Sequence, residues 1–139
     1  MDGAEPHPDD YRRAAELRAA LREFLRRSER IARRNRLTPQ RYSLLLMIKG
    51  APDGSERSTV TELSRRLQLA QSTVTELVRR AETAGLIVRE PSSRDGRVAY
   101  LRLTPEAERR LAATVSDLGA ERVRLAEVLD GGGATTAGR

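Results

Sequence analysis

The sequence predicts a mainly α-helical chain with one small β-hairpin, and three observations predict it. Between Tyr11 and Arg34 the apolar residues recur with a helical period. A threonine followed by proline occurs at Thr38-Pro39 and again at Thr104-Pro105, the pattern of a capped helix start. Between the two lies Asp95-Gly96, a tight-turn signal flanked by two strand-like runs.

Each element can be justified in order. Residues 1–9, rich in proline and acidic groups, read as a flexible N-terminus. In the first helix, within residues 10–36, Leu17, Leu21, Phe24, Leu25, Ser28 and Ile31 share one face and arginines cover the remainder. The second helix starts at Thr38-Pro39, carries the run from Leu44 to Ile48 and ends at Gly50-Ala51-Pro52. So many adjacent apolar residues mark it as a central strut buried on nearly all sides. The segment PDGSERS reads as a loop. A helix around Glu62 to Leu67, a short Gln68-Leu69-Ala70 link and a helix from Gln71 to Ala84, stopped by Gly85, make a helix-turn-helix.

Leu86 to Glu90 and Val98 to Leu103 read as the two strands of a hairpin, which in this position is a wing. The last helix runs from Pro105 to about Leu129, and residues 131–139 read as a flexible tail. Along that helix Leu111, Val115, Leu118, Arg122, Leu125 and Leu129 form a heptad seam with one charged interruption. The expected fold is therefore a winged helix-turn-helix domain over residues 38–104, between an N-terminal helix (10–36) and a C-terminal helix (105–130).

Composition narrows the function. The 139 residues suit one domain, and a 3% aromatic content implies a thin core that a second copy would complete. A net charge of +6, carried by arginine with Lys49 as the only lysine, favours a polyanionic partner. The chain holds no cysteine, so disulfides, thiolate metal sites and thiol redox sensing are not available to it. Its single histidine, His7, lies in the N-terminal segment, away from any catalytic constellation. No glycine loop for phosphate is present, so an enzyme is not expected, nor a cofactor or metal. No apolar run is long enough to span a membrane, which points to a cytoplasmic location.

The run STVTELVRRAETAGLIVREPSSRDGRVAYLRLTPEA carries a specific likeness. Its helix, the Gly85-Leu86-Ile87-Val88-Arg89 entry to the wing, the Arg94-Asp95-Gly96-Arg97 tip and the Leu103-Thr104 exit resemble the MarR family of bacterial transcription regulators. The likeness covers roughly residues 12–129. Three positions depart from the family pattern: Ala70 before the recognition helix, Gln68 in the link and Ala107 after Leu-Thr. The C-terminal region also reads as one helix where many members have two.

The resemblance implies a homodimer that binds double-stranded DNA at a palindromic operator, a repressor released by a small aromatic or phenolic effector. The major groove admits a helix whose N-terminal side chains face base edges. Gln71, Ser72, Thr73, Thr75, Glu76 and Arg79 are the candidates here, and Gln71 suits adenine while Arg79 suits guanine or phosphate. Glu76 could instead be a spectator, or a group that opposes wrong bases. Thr61 and Arg65 on the preceding helix are placed to meet phosphates. In the wing, Arg94 or Arg97 would enter the minor groove while Asp95 holds a neighbouring arginine. Either arginine suits either task.

Dimerisation is expected through Leu17, Leu21, Leu111, Val115, Leu118 and Leu125. Phe24, Tyr42, Leu46 and Met47 are candidates to line an effector cleft, with core packing as the competing role for each. The competing reading of the whole chain is a winged-helix module that binds protein and not DNA.

Overall fold

The computed structural model describes residues 3–92, 94 and 96–134. Six helices and a small antiparallel sheet follow in the order α1 (Pro8–Arg34), α2 (Pro39–Lys49), β1 (Arg57–Ser58), α3 (Val60–Leu67), α4 (Gln71–Thr83), β2 (Ile87–Pro91), β3 (Ala99–Leu103), α5 (Pro105–Asp117) and α6 (Gly119–Ala134). The sheet order is β1-β3-β2, with Arg57 opposite Arg102 and Ile87 opposite Leu103. The winged helix-turn-helix predicted from sequence is present, flanked by helices on both sides.

The helix starts follow the capping chemistry. The Thr38 hydroxyl accepts from the Arg41 amide at 3.2 Å, and Thr104 accepts from Ala107 at the same distance. Each cap satisfies an amide that the first helical turn would otherwise leave unpaired. Helix α1 begins earlier than expected. His7 Nδ1 accepts from the Asp9 amide at 3.2 Å, and the Asp10 carboxylate accepts from the His7 amide at 2.8 Å. This reciprocal box, with Pro8 at the first position, extends the helix into the segment read as flexible.

One core serves the whole head. Leu44, Leu45 and Ile48 of α2 are fully buried among Leu63, Val74, Val78, Leu86 and Leu101. Burial of each such side chain stabilises the fold by about 1.5–3 kcal/mol. The strut role inferred for α2 is what the structure places there.

Three corrections concern architecture. The loop after α2 contains a strand, since Arg57-Ser58 pairs with β3 and turns the hairpin into a three-stranded sheet. The single C-terminal helix is two, broken at Leu118, whose φ of −89° and ψ of 3° leave the helical region before Gly119. Arg122, the charge that interrupts the heptad seam, donates from its guanidinium to the Val115 carbonyl at 3.0 Å and bridges this break. Finally, α6 continues through residues 131–134, which were expected to begin the tail.

The break also corrects the seam. Leu111 and Leu118 are buried within the chain's own fold, so neither presents a surface to a partner. Val115 packs partly against the core and Leu125 is half-buried, whereas Leu17 and Leu21 keep 42% and 44% of their surface exposed. A heptad extrapolated through Leu118 treats two separate helices as one.

Candidate nucleic-acid interface

The head is assembled around the α3–α4 turn. Thr59 caps α3 by accepting from the Glu62 amide at 3.2 Å. At the other end Gln68 takes a left-handed conformation (φ 57°, ψ 43°) that glycine adopts more readily. Two hydrogen bonds hold it there. Its side-chain amide donates to the Arg65 carbonyl at 2.8 Å, and the Leu69 amide donates to the Ser64 carbonyl at 3.2 Å.

Helix α4 starts at Ala70 with no side-chain cap, as its residue type requires. Instead the Gln71 side-chain amide donates to the Thr61 hydroxyl at 3.3 Å and ties the two helices together. Val74, Val78 and Ala81 face the core. Their helical spacing turns Gln71, Ser72, Thr73, Thr75 and Arg79 outward, and all five are exposed. Glu76 lies among them, half-exposed. The far end closes in a Schellman motif, with Gly85 at φ +76° and the Leu86 amide donating to the Ala81 carbonyl at 2.9 Å.

Electrostatically, Glu76 dominates the outer face of α4. Its carboxylate accepts from Arg79 Nε and Nη2 at 2.9 and 2.6 Å, and from Arg80 Nε at 3.1 Å. The Arg79 hydrogen bonds, more than any other cause, push its pKa down from 4.5 to about 2. Arg80 was missed by the sequence reading, although its four-residue offset from Glu76 on a helix is a legible pairing signal. Arg89 of β2 is held likewise, its Nε donating to Glu82 of α4 at 2.9 Å.

The wing stands next to this face. Its mouth is closed by the Ser92 amide donating to the Val98 carbonyl at 2.9 Å, and the Arg94 amide donates to the Ser92 hydroxyl at 3.2 Å. Arg94 and Arg97 are both exposed at the tip, while Asp95 lies outside the described residues. At the base of the wing, the Arg57 guanidinium lies 4.3 Å from the centre of the Tyr100 ring, and Arg102 pairs with Glu90 at 3.0 Å. On α3, Thr61 and Arg65 are both exposed on the same head.

The remaining candidates lie elsewhere. Tyr42, Leu46 and Met47 pack against the core, and burial raises the pKa of Tyr42. Phe24 instead lines a cavity of about 170 Å³ between α1 and α6, with Ala20, Leu125 and Val128. The four residues are therefore not brought together around one cavity. Among the described residues no cluster of His, Asp or Glu could hold a metal ion, and no helix is long and apolar enough to cross a membrane.

Residues 37–98, from the start of α2 to the wing, match the MarR family model. Over that segment the chain is similar to the MarR family. The MarR-like head and its flanking helices also align with solved structures. AbsC, a MarR family transcriptional regulator from Streptomyces coelicolor, superposes with a TM-score of 0.72 at 17% identity, over 88% of this chain and 81% of its own. A mutant MarR from E. coli, complexed with operator DNA, gives 0.66 at 16% identity over 88% and 85%. A MepR mutant from S. aureus, bound to an oligodeoxyribonucleotide, gives 0.64 at 19% identity over 82% and 81%. These likenesses establish the fold. No curated protein sequence matches the chain.

Proposed function

We propose that this chain is a transcriptional regulator that binds double-stranded DNA sequence-specifically, as a homodimer on a palindromic operator. The observation that carries the reading is the outer face of α4. It presents Gln71, Ser72, Thr73, Thr75 and Arg79 to solvent beside a wing tipped by Arg94 and Arg97, in a MarR-like head. Two of the aligned MarR-like structures were solved on DNA. In the proposed complex α4 enters the major groove, where Arg79 forks onto guanine or phosphate and the threonine methyls meet thymine. Thr61 and Arg65 fix the register on phosphates, and the wing places an arginine in the flanking minor groove, with Asp95 orienting its neighbour.

Dimerisation uses the apolar surface that the single chain leaves uncovered on α1 and α6. Tyr11, Leu17, Leu21, Leu25, Val123 and Leu129 are all exposed there. A second copy brings a second head and allows two half-sites to be read together. The chain acts as a repressor, and a small aromatic or phenolic effector shifts the separation of the heads and releases the operator.

Selection of genomic fragments by the purified protein, followed by salt titration on the enriched sequence, tests this. The expected result is an enriched palindrome whose log affinity falls linearly with log salt. Enrichment of no sequence, or binding that ignores salt, would overturn it in favour of a protein-binding winged helix.

A further inference from the structure

The outer face of α4 carries two arginines, Arg79 and Arg80, and both are already occupied. Glu76 stands one turn before Arg79 and Arg80 and accepts from both. The pairing with Arg79 is two-pronged, at 2.9 and 2.6 Å. It engages the same fork of N–H donors that would grip guanine O6 and N7, or a phosphate. A helix exposed to water does not need this arrangement for stability, because exposed ion pairs contribute little.

Resting on the DNA-binding reading above, we infer that Glu76 is a built-in substitute for the DNA anion, occupying Arg79 and Arg80 until a correctly placed acceptor displaces it. Where no guanine lies in register, duplex offers these arginines phosphates, which compete against a carboxylate already seated and are repelled by its charge. A guanine edge in register offers O6 and N7 in place of the two carboxylate oxygens, acceptor for acceptor, so the exchange is nearly balanced only on the right sequence. Glu76 is thus a positioning residue that sets specificity by weakening the wrong complexes. It is ionised at any pH at which duplex DNA persists, since its pKa is held at about 2, so the device is not a pH switch. Glu82 holding Arg89 at 2.9 Å repeats the pattern on the flank of the same head.

The test compares wild type and Glu76→Gln on two duplexes of equal length, the selected operator and a random sequence, across a salt series. The variant is expected to bind random duplex about tenfold more tightly, with a log–log salt slope steeper by ~0.9 to 1.8 as one or two arginines take up phosphates. The ratio of operator to random affinity falls accordingly. Repeating Glu76→Gln in an Arg79→Gln, Arg80→Gln background separates occupation from simple repulsion. Occupation predicts no gain there, and a gain that persists overturns the inference. Unchanged affinity for random duplex also overturns it, as does loss of operator binding with no gain on random duplex, which would make Glu76 a direct base-reading residue. If wild type binds neither duplex, the DNA reading itself fails, an outcome distinct from the others.

Discussion

The hydroxyl of Thr104 donates to the carbonyl of Gly85 at 2.7 Å while its oxygen accepts from the Ala107 amide at 3.2 Å. One side chain therefore closes the end of α4 and opens α5. The backbone strengthens the link, since the Thr104 amide donates to the Leu86 carbonyl at 3.0 Å. Thr104→Ala removes the cap and leaves the Gly85 carbonyl without that donor. We expect a loss of about 1–2 kcal/mol in urea denaturation, with Thr104→Ser recovering most of it. A Thr104→Ala protein as stable as wild type would show that the hydroxyl is dispensable.

Gly85 itself should be intolerant for a backbone reason alone. A Cβ there meets nothing within 4 Å, but φ is +76°. Gly85→Ala is expected to cost about 1–2 kcal/mol through left-handed strain without disturbing packing. Thermal unfolding combined with an unchanged near-ultraviolet spectrum would identify strain as the cause.

Substitutions on the two apolar sets should separate assembly from folding. Leu21→Asp, at an exposed site on α1, is expected to give a folded monomer by sedimentation velocity. Leu111→Ala, at a site 3% exposed, should instead lower the unfolding free energy by about 2–5 kcal/mol. If Leu21→Asp still sediments as a dimer, the proposed α1–α6 interface is wrong.

The wing and the reading helix should differ in their signatures on DNA. For whichever of Arg94 and Arg97 enters the minor groove, the change to Ala is expected to weaken binding most on duplexes with A·T-rich flanks. Arg79→Ala should relax discrimination at one base pair by about 1–3 kcal/mol. Equal effects of Arg79→Ala on every sequence would assign that residue to the backbone.

Two ion pairs give pH windows of opposite sign. The folded-state pKa of Glu76 is depressed from 4.5 to about 2, so its stabilisation is full above pH 4.5 and is lost as pH falls toward 2. Lys49 is raised above its ordinary value by its hydrogen bonds to Glu108 and Glu56. Its contribution is full below pH 10.5 and is lost as pH rises through the folded-state value. Carboxyl chemical shifts followed by NMR should show Glu76 titrating well below its ordinary value. A midpoint near 4.5 would refute the pairing.

Much of this fold is legible because local chemistry decides it. Thr38-Pro39, Thr104-Pro105 and Gly85 each mark a helix end through a cap or a turn that involves only near neighbours. The misreadings arise where partners distant in sequence decide. Arg57-Ser58 is a strand only because Leu101 and Arg102 lie beside it, and two residues carry no periodicity of their own. The heptad through Leu118 looks continuous because spacing cannot reveal a backbone break. At the candidate interface, the outward residues of α4 follow from helical phase. The pairing of Glu76 with Arg79 and Arg80 was available in their spacing, but only the geometry shows one carboxylate serving both.

The sheet order has a mechanical consequence. Because β3 lies between β1 and β2, the wing is a cantilever clamped at Arg57-Ser58, immediately ahead of the helix-turn-helix. The aim of Arg94 and Arg97 is therefore set at the root of the beam as well as at its tip.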